Sequence, residues 1–218
     1  MVAGKKTIIF DLDGTLIDSL EDIAVCMNKV LEELNIPTHK IEDYKYFVGG
    51  GISVLVENAL KGHSEDIKEE VTNRFKVIYD QKLHSKTKPY DGIYELLDEL
   101  EKLNCNLAIL SNKPHEFTIQ YKDTLFKNYS FKEIHGQKKE VPKKPNPIAA
   151  INIAKSFDVP CEEIYFIGDT MVDMQTAKNA GMIAIGVLWG FRDEKELKEN
   201  GADFLVNHPL DILDIIKK

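Results

Sequence analysis

The stretch Thr7-Ile-Ile-Phe-Asp-Leu-Asp-Gly-Thr-Leu-Ile-Asp-Ser19 places two carboxylates two positions apart at the end of a short apolar run. Residues 8–10 predict a strand, and positions i and i+2 of a strand point to the same side. Asp11 and Asp13 can therefore face one site where the strand ends and Gly14 lets the chain turn. Ligands of open α/β sheets bind at the carboxyl ends of strands, so chemistry is expected here first.

Aspartate and glycine also mark ordinary turns, so this pattern alone fits a solvated loop equally well. A calcium-binding loop does not fit. The third acid and the closing glutamate are missing, and the residues before Asp11 predict a strand where that motif needs a helix. The choice between a turn and a reactive pair of carboxylates depends on residues further along the chain.

The composition is that of an ordinary folded protein, with 218 residues, 43% hydrophobic and 29% charged. This length allows one substantial domain or a core domain with a smaller companion. The net charge of −8 disfavours a broad surface for nucleic acid. The apolar run near the N-terminus is too short for a signal peptide, and no stretch approaches the length of a membrane span. We expect a cytoplasmic protein with no nucleic acid or membrane partner, and the sequence leaves its oligomeric state open.

Zinc and disulfide chemistry are not indicated. The cysteines Cys26, Cys105 and Cys161 are odd in number and widely spaced, which favours reduced thiols that serve packing. The six histidines show no spacing typical of metal ligands.

The hydrophobic spacing changes character along the chain. Between residues 20 and 86 it predicts helices alone, at about 20–34 with Ser19 as a cap, 41–48, 52–61 and 64–84. Afterwards helices and strands alternate: helices at about 93–103, 114–121, 146–157, 171–180, 193–199 and from 209, and strands at 106–110, 131–135, 164–167, 183–188 and 203–206. Such alternation predicts an α/β fold with a parallel, doubly wound sheet. A crossover between parallel strands needs only a dozen or more residues, so we expect the surplus at 17–87 to form a small helical cap on a core of 1–16 and 88–218.

Three further polar clusters fall where strands should end or helices begin. They are Ser111-Asn112, Lys143-Lys144-Pro145-Asn146-Pro147 and Gly168-Asp169-Thr170-Met-Val-Asp173. Each alone has an ordinary explanation, as a helix cap, a helix entrance and a turn. Together with the first stretch, and in this order, they resemble motifs I to IV of the haloacid dehalogenase-like hydrolase superfamily. The resemblance covers nearly the whole chain, and the insert at 17–87 matches the position of a helical cap after motif I.

The resemblance implies a magnesium-dependent phosphomonoester hydrolase that works through an aspartyl-phosphate. In that mechanism Asp11 is the nucleophile and Asp13 the acid and base, initially protonated. Charge supports a metal, because two carboxylates about 4 Å apart repel by roughly 4 kcal/mol at an effective dielectric of ~20. Hard oxygen ligands fit Mg²⁺. The implied metal ligands are Asp11, Asp13 through its carbonyl, Asp169 and Asp173. Asp173 could instead orient Lys144. The implied phosphate-binding residues are Ser111, Asn112, Lys144, Thr15 and Gly50.

Within the superfamily, several stretches are similar to the phosphoglycolate phosphatase branch, among them Val48-Gly-Gly-Gly-Ile-Ser-Val-Leu55 and Ser111-Asn-Lys-Pro114. Phosphoglycolate is accordingly the leading substrate candidate. Members of this branch usually carry an arginine where this chain has Asn58. Its loss removes a candidate contact to the glycolate carboxylate or a structural cation of the cap. Pyrophosphate, nucleotides and sugar phosphates therefore stay open as substrates.

Two other activities share parts of this pattern. A hexose-phosphate mutase would use the same Asp11 and Asp13, although its usual first motif differs from Gly14-Thr15-Leu16. A phosphorylatable signalling module, the alternative without enzymatic activity, lacks an acid two residues after its phosphoacceptor. Asp13 therefore favours turnover over a long-lived phosphorylated switch.

Overall fold

The computed structural model describes residues 5–82 and 85–217. Its strands, in chain order, are β1 Thr7–Phe10, β2 Ile17–Asp18, β3 Lys88–Pro89, β4 Asn106–Pro114, β5 Phe131–Gln137, β6 Ile164–Gly168, β7 Ile183–Val187 and β8 Phe204–Val206. Its α-helices are α1 Leu20–Glu33, α2 Tyr44–Phe47, α3 Ile52–Ala59, α4 Glu65–Lys82, α5 Ile93–Lys102, α6 His115–Leu125, α7 Ile148–Phe157, α8 Met171–Ala180, α9 Glu194–Glu199 and α10 Asp211–Ile216.

Within the described residues, six strands form one parallel sheet in the order β5-β4-β1-β6-β7-β8. β1 lies at its centre and pairs with β4 on one side and β6 on the other. Every residue of β1 is buried because the sheet is covered on both faces. Ile8 and Phe10 pack into one apolar cluster and Ile9 into the other, as the alternation of a strand requires. This arrangement confirms the predicted α/β class and brings the ends of β1, β4 and β6 together.

The helices α1 to α4 follow β1 and form the cap region. α1 and α4 pack against each other, and the apolar cluster that includes Met27 and Phe75 continues into the sheet. The predicted helix at 41–48 is divided into a 3₁₀ turn at Ile41–Asp43 and α2. The predicted helix at 64–84 is observed to Lys82, and its last two positions lie outside the described residues.

A two-stranded antiparallel pair joins the cap region to the sheet. Ile17 pairs with Pro89 and Asp18 with Lys88, directly where the chain leaves and re-enters the core. The sequence did not predict this pair, since strands of two residues have no periodicity to detect. Both connections between cap and core are thereby held side by side.

Two local predictions at the sheet edge were wrong. Ser19 makes no side-chain capping bond at α1, because its hydroxyl donates to Asp13 instead. Ser111 and Asn112 do not follow β4 but lie inside it, because the strand continues to Pro114 with an irregular register after Leu110. Among the described residues, no helix is both long and apolar enough to cross a membrane.

Candidate active site

Three aspartates meet at the carboxyl ends of β1 and β6. Oxygen atoms of Asp11, Asp169 and Asp173 lie within 4.8 Å of one another, and all three side chains are buried. Asp11 directly follows β1, Asp169 follows β6, and Asp173 lies in the first turn of α8. Residues separated by most of the chain are thus brought to one point by neighbouring parallel strands.

Lys144 is the cation that faces this cluster. Its Nζ lies 2.8 Å from Asp11 Oδ1 and 2.6 Å from Asp173 Oδ1, with only 2% of its side chain exposed. Burial by itself lowers the pKa of Lys144, but Asp11 and Asp173 together raise it above its ordinary value. Lys144 is therefore a fixed positive charge.

The remaining oxygens of the aspartates are held by neighbouring groups. The Thr15 hydroxyl donates to Asp169 Oδ1 at 3.2 Å, and the Phe191 amide donates to Asp169 Oδ2 at 2.8 Å. Asp173 Oδ2 accepts from both the amide and the hydroxyl of Thr170, as in a capping box at the start of α8. Thr15, which the resemblance places among the phosphate-binding residues, thus contacts Asp169 through its hydroxyl.

The charges of this cluster fit a divalent cation. Burial raises the pKa of Asp11 to about 7, with Asp173 adding to the shift and Lys144 opposing it. Burial and the charges of Asp173 and Asp11 raise the pKa of Asp169 well above its ordinary value. Three carboxylates against one ammonium leave two negative charges without a partner in this cluster, and the donors are hard oxygens. Such a set suits Mg²⁺.

Asp13 lies beside this cluster and has partners of its own. Its Oδ1 accepts from Ser19 Oγ at 2.5 Å and from Lys113 Nζ at 2.9 Å, and its Oδ2 lies 3.2 Å from the same ammonium. The sequence did not single out the Lys113 side chain as a site residue. Lys113 comes two residues after Ser111 in one strand, and this spacing was the available sign that the two share a side.

The predicted phosphate-binding residues differ in their surroundings. Ser111 is buried and lines the same cavity as Asp11, and its Oγ accepts from the Lys113 amide at 3.2 Å. Asn112 donates to the carbonyls of Gly49 and Lys144 at 3.1 Å each and accepts from the Lys144 amide, so its side chain joins cap to core. Only its backbone remains for a phosphate.

The triple glycine lies where the cap meets the sheet. Gly49 and Gly51 line a cavity above Asp11 and Asp13, whereas Gly50 lines the neighbouring open groove and its carbonyl accepts from Lys143 Nζ. Arg192 donates to the carbonyl of Val48, directly before the glycines, and to that of Lys45 in the preceding α2. Core side chains thus hold the loop over the site through its backbone.

Known proteins resemble this chain over most of its length. Residues 8–187 match the family model described as haloacid dehalogenase-like hydrolase. A phosphoglycolate phosphatase of Aquifex aeolicus is 32% identical over 97% of this chain and 96% of its own length. The phosphoglycolate phosphatase of Pseudomonas savastanoi is 33% identical over 95% of this chain and 79% of its own. The structure of a haloacid dehalogenase-like family hydrolase from Streptococcus pneumoniae superposes with a TM-score of 0.87 at 25% identity, covering 97% of this chain and 98% of that one.

Proposed function

The chain belongs to the haloacid dehalogenase-like hydrolases, and we propose that it is a Mg²⁺-dependent phosphomonoesterase acting through an aspartyl-phosphate on a small metabolite, with phosphoglycolate as leading candidate. It is an enzyme of the phosphoglycolate phosphatase-like group of phosphatases. The observation that carries the proposal is the buried cluster of Asp11, Asp169 and Asp173 closed by Lys144. The name of these relatives supports phosphoglycolate as the leading candidate.

The metal is proposed to be held by Asp11, Asp169 and Asp173, with the carbonyl of Asp13 as a further ligand. When bound, Mg²⁺ supplies positive charge that neutralises the carboxylates and polarises a phosphoryl oxygen. Lys144 holds Asp11 in place and offers a second positive charge to the incoming phosphate. A phosphate dianion is then not repelled by the acids that must surround it.

Asp11 is proposed as the nucleophile. One of its oxygens forms a bond to phosphorus while the bond from phosphorus to the leaving oxygen breaks. Ser111, together with the backbone amides of Leu12, Asn112 and Lys113, is proposed to bind the phosphoryl oxygens during transfer. The substrate alcohol leaves and Asp11 carries the phosphoryl group.

Asp13 is proposed to move the protons. It gives a proton to the leaving oxygen, and it later accepts one from the water that attacks phosphorus and releases phosphate from Asp11. The 2.5 Å contact from Ser19 and the 2.9 Å contact from Lys113 fix the direction of its carboxylate. Asp13 is thereby held at the side of the cluster where an alcohol can depart.

We also propose that residues 17–87 move as a cap over a core of 1–16 and 88–218. The antiparallel pair of Ile17–Asp18 with Lys88–Pro89 supports these boundaries, since both connections cross there. The cap contributes Val48, Ile52 and Leu55 to the cavity above Asp11. The residues next to the leaving group therefore belong mainly to the cap.

One substrate screen tests the proposal. Phosphate release is measured from phosphoglycolate, pyrophosphate, sugar phosphates and nucleoside monophosphates, with Mg²⁺ and with a chelator. We expect strong Mg²⁺-dependent release, with phosphoglycolate the best substrate. A preference for another compound would correct the substrate, transfer of phosphate between sugar positions would indicate a mutase, and no release from any compound would overturn the proposed function.

A further inference from the structure

The cavity above Asp11 and Asp13 is small and apolar on its cap side. Its volume is about 50 Å³, and the cap supplies mostly hydrocarbon through residues such as Val48, Leu55 and Phe75. This room suits a leaving group of only a few atoms. The cap side of the cavity also offers few groups that could balance a charge on such a leaving group.

Lys113 is the one cationic residue among those described as lining this cavity. Its ammonium is buried and lies 4.7 Å from the ring centre of Tyr79 and 4.9 Å from that of Tyr121. It also donates to Tyr79 Oη at 2.8 Å. Two aromatic faces and a hydroxyl therefore hold the positive charge at the cavity wall.

A hydrogen-bonded chain behind Lys113 makes this position rigid. Tyr79 Oη and Tyr121 Oη lie 2.9 Å apart, and Tyr121 donates to Thr87 Oγ1 at 3.2 Å. The Thr87 hydroxyl in turn donates to Asp22 at 2.6 Å. These hydrogen bonds link residues of the cap, the core and the connection between them. Lys113 is therefore positioned both by Tyr79 of the cap and by Tyr121 of the core.

Asn58, the position where the branch that this sequence resembles usually has an arginine, is not among the described residues that line this cavity. Asn58 is half-buried in α3. A substrate with a negatively charged leaving group must therefore find its cation elsewhere. Lys113 is the residue placed to supply it.

Resting on the proposed function, we propose that Lys113 is the specificity-determining residue that binds a carboxylate on the leaving group. Its Nζ lies 2.9 Å from Asp13 Oδ1, and Asp13 is the group proposed to contact the leaving oxygen. In a two-carbon leaving group, the carboxylate lies about one hydrogen-bond length, ~3 Å, from that oxygen. The carboxylate therefore falls within reach of the ammonium, and Lys113 selects small acidic alcohols over neutral ones.

The test compares two substrates of equal shape in wild type, Lys113→Met and Lys113→Arg. Phosphoglycolate carries the carboxylate, and its amide replaces that charge by a neutral group. Lys113 also contacts Asp13, so both substrates lose rate in Lys113→Met. We expect the ratio of kcat/KM for phosphoglycolate to that for the amide to fall about 10- to 100-fold, as a lost charge-assisted hydrogen bond implies. KM for phosphoglycolate should carry most of the fall, and Lys113→Arg should restore part of the ratio.

Lys76→Met is the matched control, since Lys76 is an exposed lysine of the neighbouring groove. It should leave the substrate ratio within about twofold. An unchanged ratio in Lys113→Met would overturn the inference and leave Lys113 as a residue that only positions Asp13. If Lys113→Met does not fold, as judged by circular dichroism, Lys113→Gln takes its place with the same expected ratio.

A binding measurement separates this inference from the proposed function. Calorimetry on the Asp11→Asn variant compares binding of phosphoglycolate and its amide, with and without Lys113→Met. We expect the preference for phosphoglycolate to disappear when Lys113 is replaced. Absence of phosphate release by the wild type would defeat the proposed function, whereas equal binding of the two compounds with Lys113 present would defeat the role of Lys113.

Discussion

The Lys144 ammonium lies 2.8 Å from the Asp11 carboxylate, and both side chains are almost completely buried. The pair couples the end of β1 to the segment that enters α7. A buried carboxylate is costly unless it is paired, and Lys144 must also serve Asp173. The site is therefore strained electrostatically whenever no divalent cation is present, which has measurable consequences.

The first consequence concerns pH. Burial raises the pKa of Asp11 from 3.8 to about 7, so in this interval the folded protein binds more protons than the unfolded chain. Stability then falls as pH rises from about 4 to 7. In chelator-treated protein we expect Asp11 to lower the free energy of unfolding at pH 7.5, relative to pH 5, by at least about 1 kcal/mol. Urea denaturation at the two pH values measures this change in the free energy of unfolding. The difference between wild type and Asp11→Asn isolates the contribution of Asp11.

Addition of Mg²⁺ at pH 7.5 should recover this stability in the wild type, because the cation binds the folded state alone. Addition of Mg²⁺ should change the free energy of unfolding of Asp169→Asn only slightly. With chelator present, the wild type should not become more stable between pH 5 and 7.5 than Asp11→Asn does. Such a gain would contradict the proposed effect of the buried Asp11 charge.

Gly14 tests the space around Asp169. Gly14 has φ +88°, and a Cβ there would lie 2.2 Å from Asp169 Oδ2. We expect Gly14→Ala to displace Asp169 and to weaken Mg²⁺ binding at least tenfold in a calorimetric titration. Gly62→Ala is the matched control, since Gly62 has φ +91° and nothing within 4 Å. Both variants bear the backbone strain of roughly 1 kcal/mol; equal Mg²⁺ affinity in the two would refute the role of the close approach.

Ser19 tests the orientation of Asp13. Its hydroxyl donates to Asp13 Oδ1 and makes no capping bond to α1. Ser19→Ala should therefore lower kcat by roughly tenfold, as expected for a lost hydrogen bond to a charged group. Steady-state kinetics compare it with Ser156→Ala, because the Ser156 hydroxyl bonds to Ile153 of α7 and Glu133 of β5, outside the site. A normal kcat in Ser19→Ala would mean that Lys113 alone positions Asp13.

Asp13→Asn tests the proton transfer. A good leaving group such as p-nitrophenolate departs without a proton, whereas an alkoxide needs one. We expect Asp13→Asn to slow phosphoglycolate turnover about 10²- to 10⁴-fold and p-nitrophenyl phosphate turnover by much less. Single-turnover rates for both substrates measure this difference. Equal losses would remove Asp13 from the acid role.

The alternation of strands and helices was enough to predict the sheet, and the polar residues at the strand ends were enough to predict the cluster at its edge. Asp11 and Asp169 each follow an apolar run, and adjacent parallel strands had to bring them together. Lys113 was missed for a physical reason. Its partners Tyr79 and Tyr121 lie on α4 and α6, so its burial depends on how the cap packs against the core. Periodicity within one segment carries no information about such contacts.

The cap shows the same limit. Its helices were predictable from apolar spacing, but the face that each presents to Asp11 was not. Asn58 stood out as a departure from the branch that the sequence resembles, yet it is absent from the described lining of the cavity. The lining of the cavity is set by packing between segments, and only the three-dimensional arrangement shows that Lys113 is part of it.

The most direct measurement of the central claim is the identity of the phosphorylated residue. Wild-type protein with Mg²⁺ is mixed with ³²P-labelled substrate, quenched in acid within milliseconds and digested. The account predicts a label that hydroxylamine releases, on the peptide containing Asp11, and no label in Asp11→Asn of normal circular dichroism. Rapid turnover with label on another residue, or label that persists in Asp11→Asn, would contradict it.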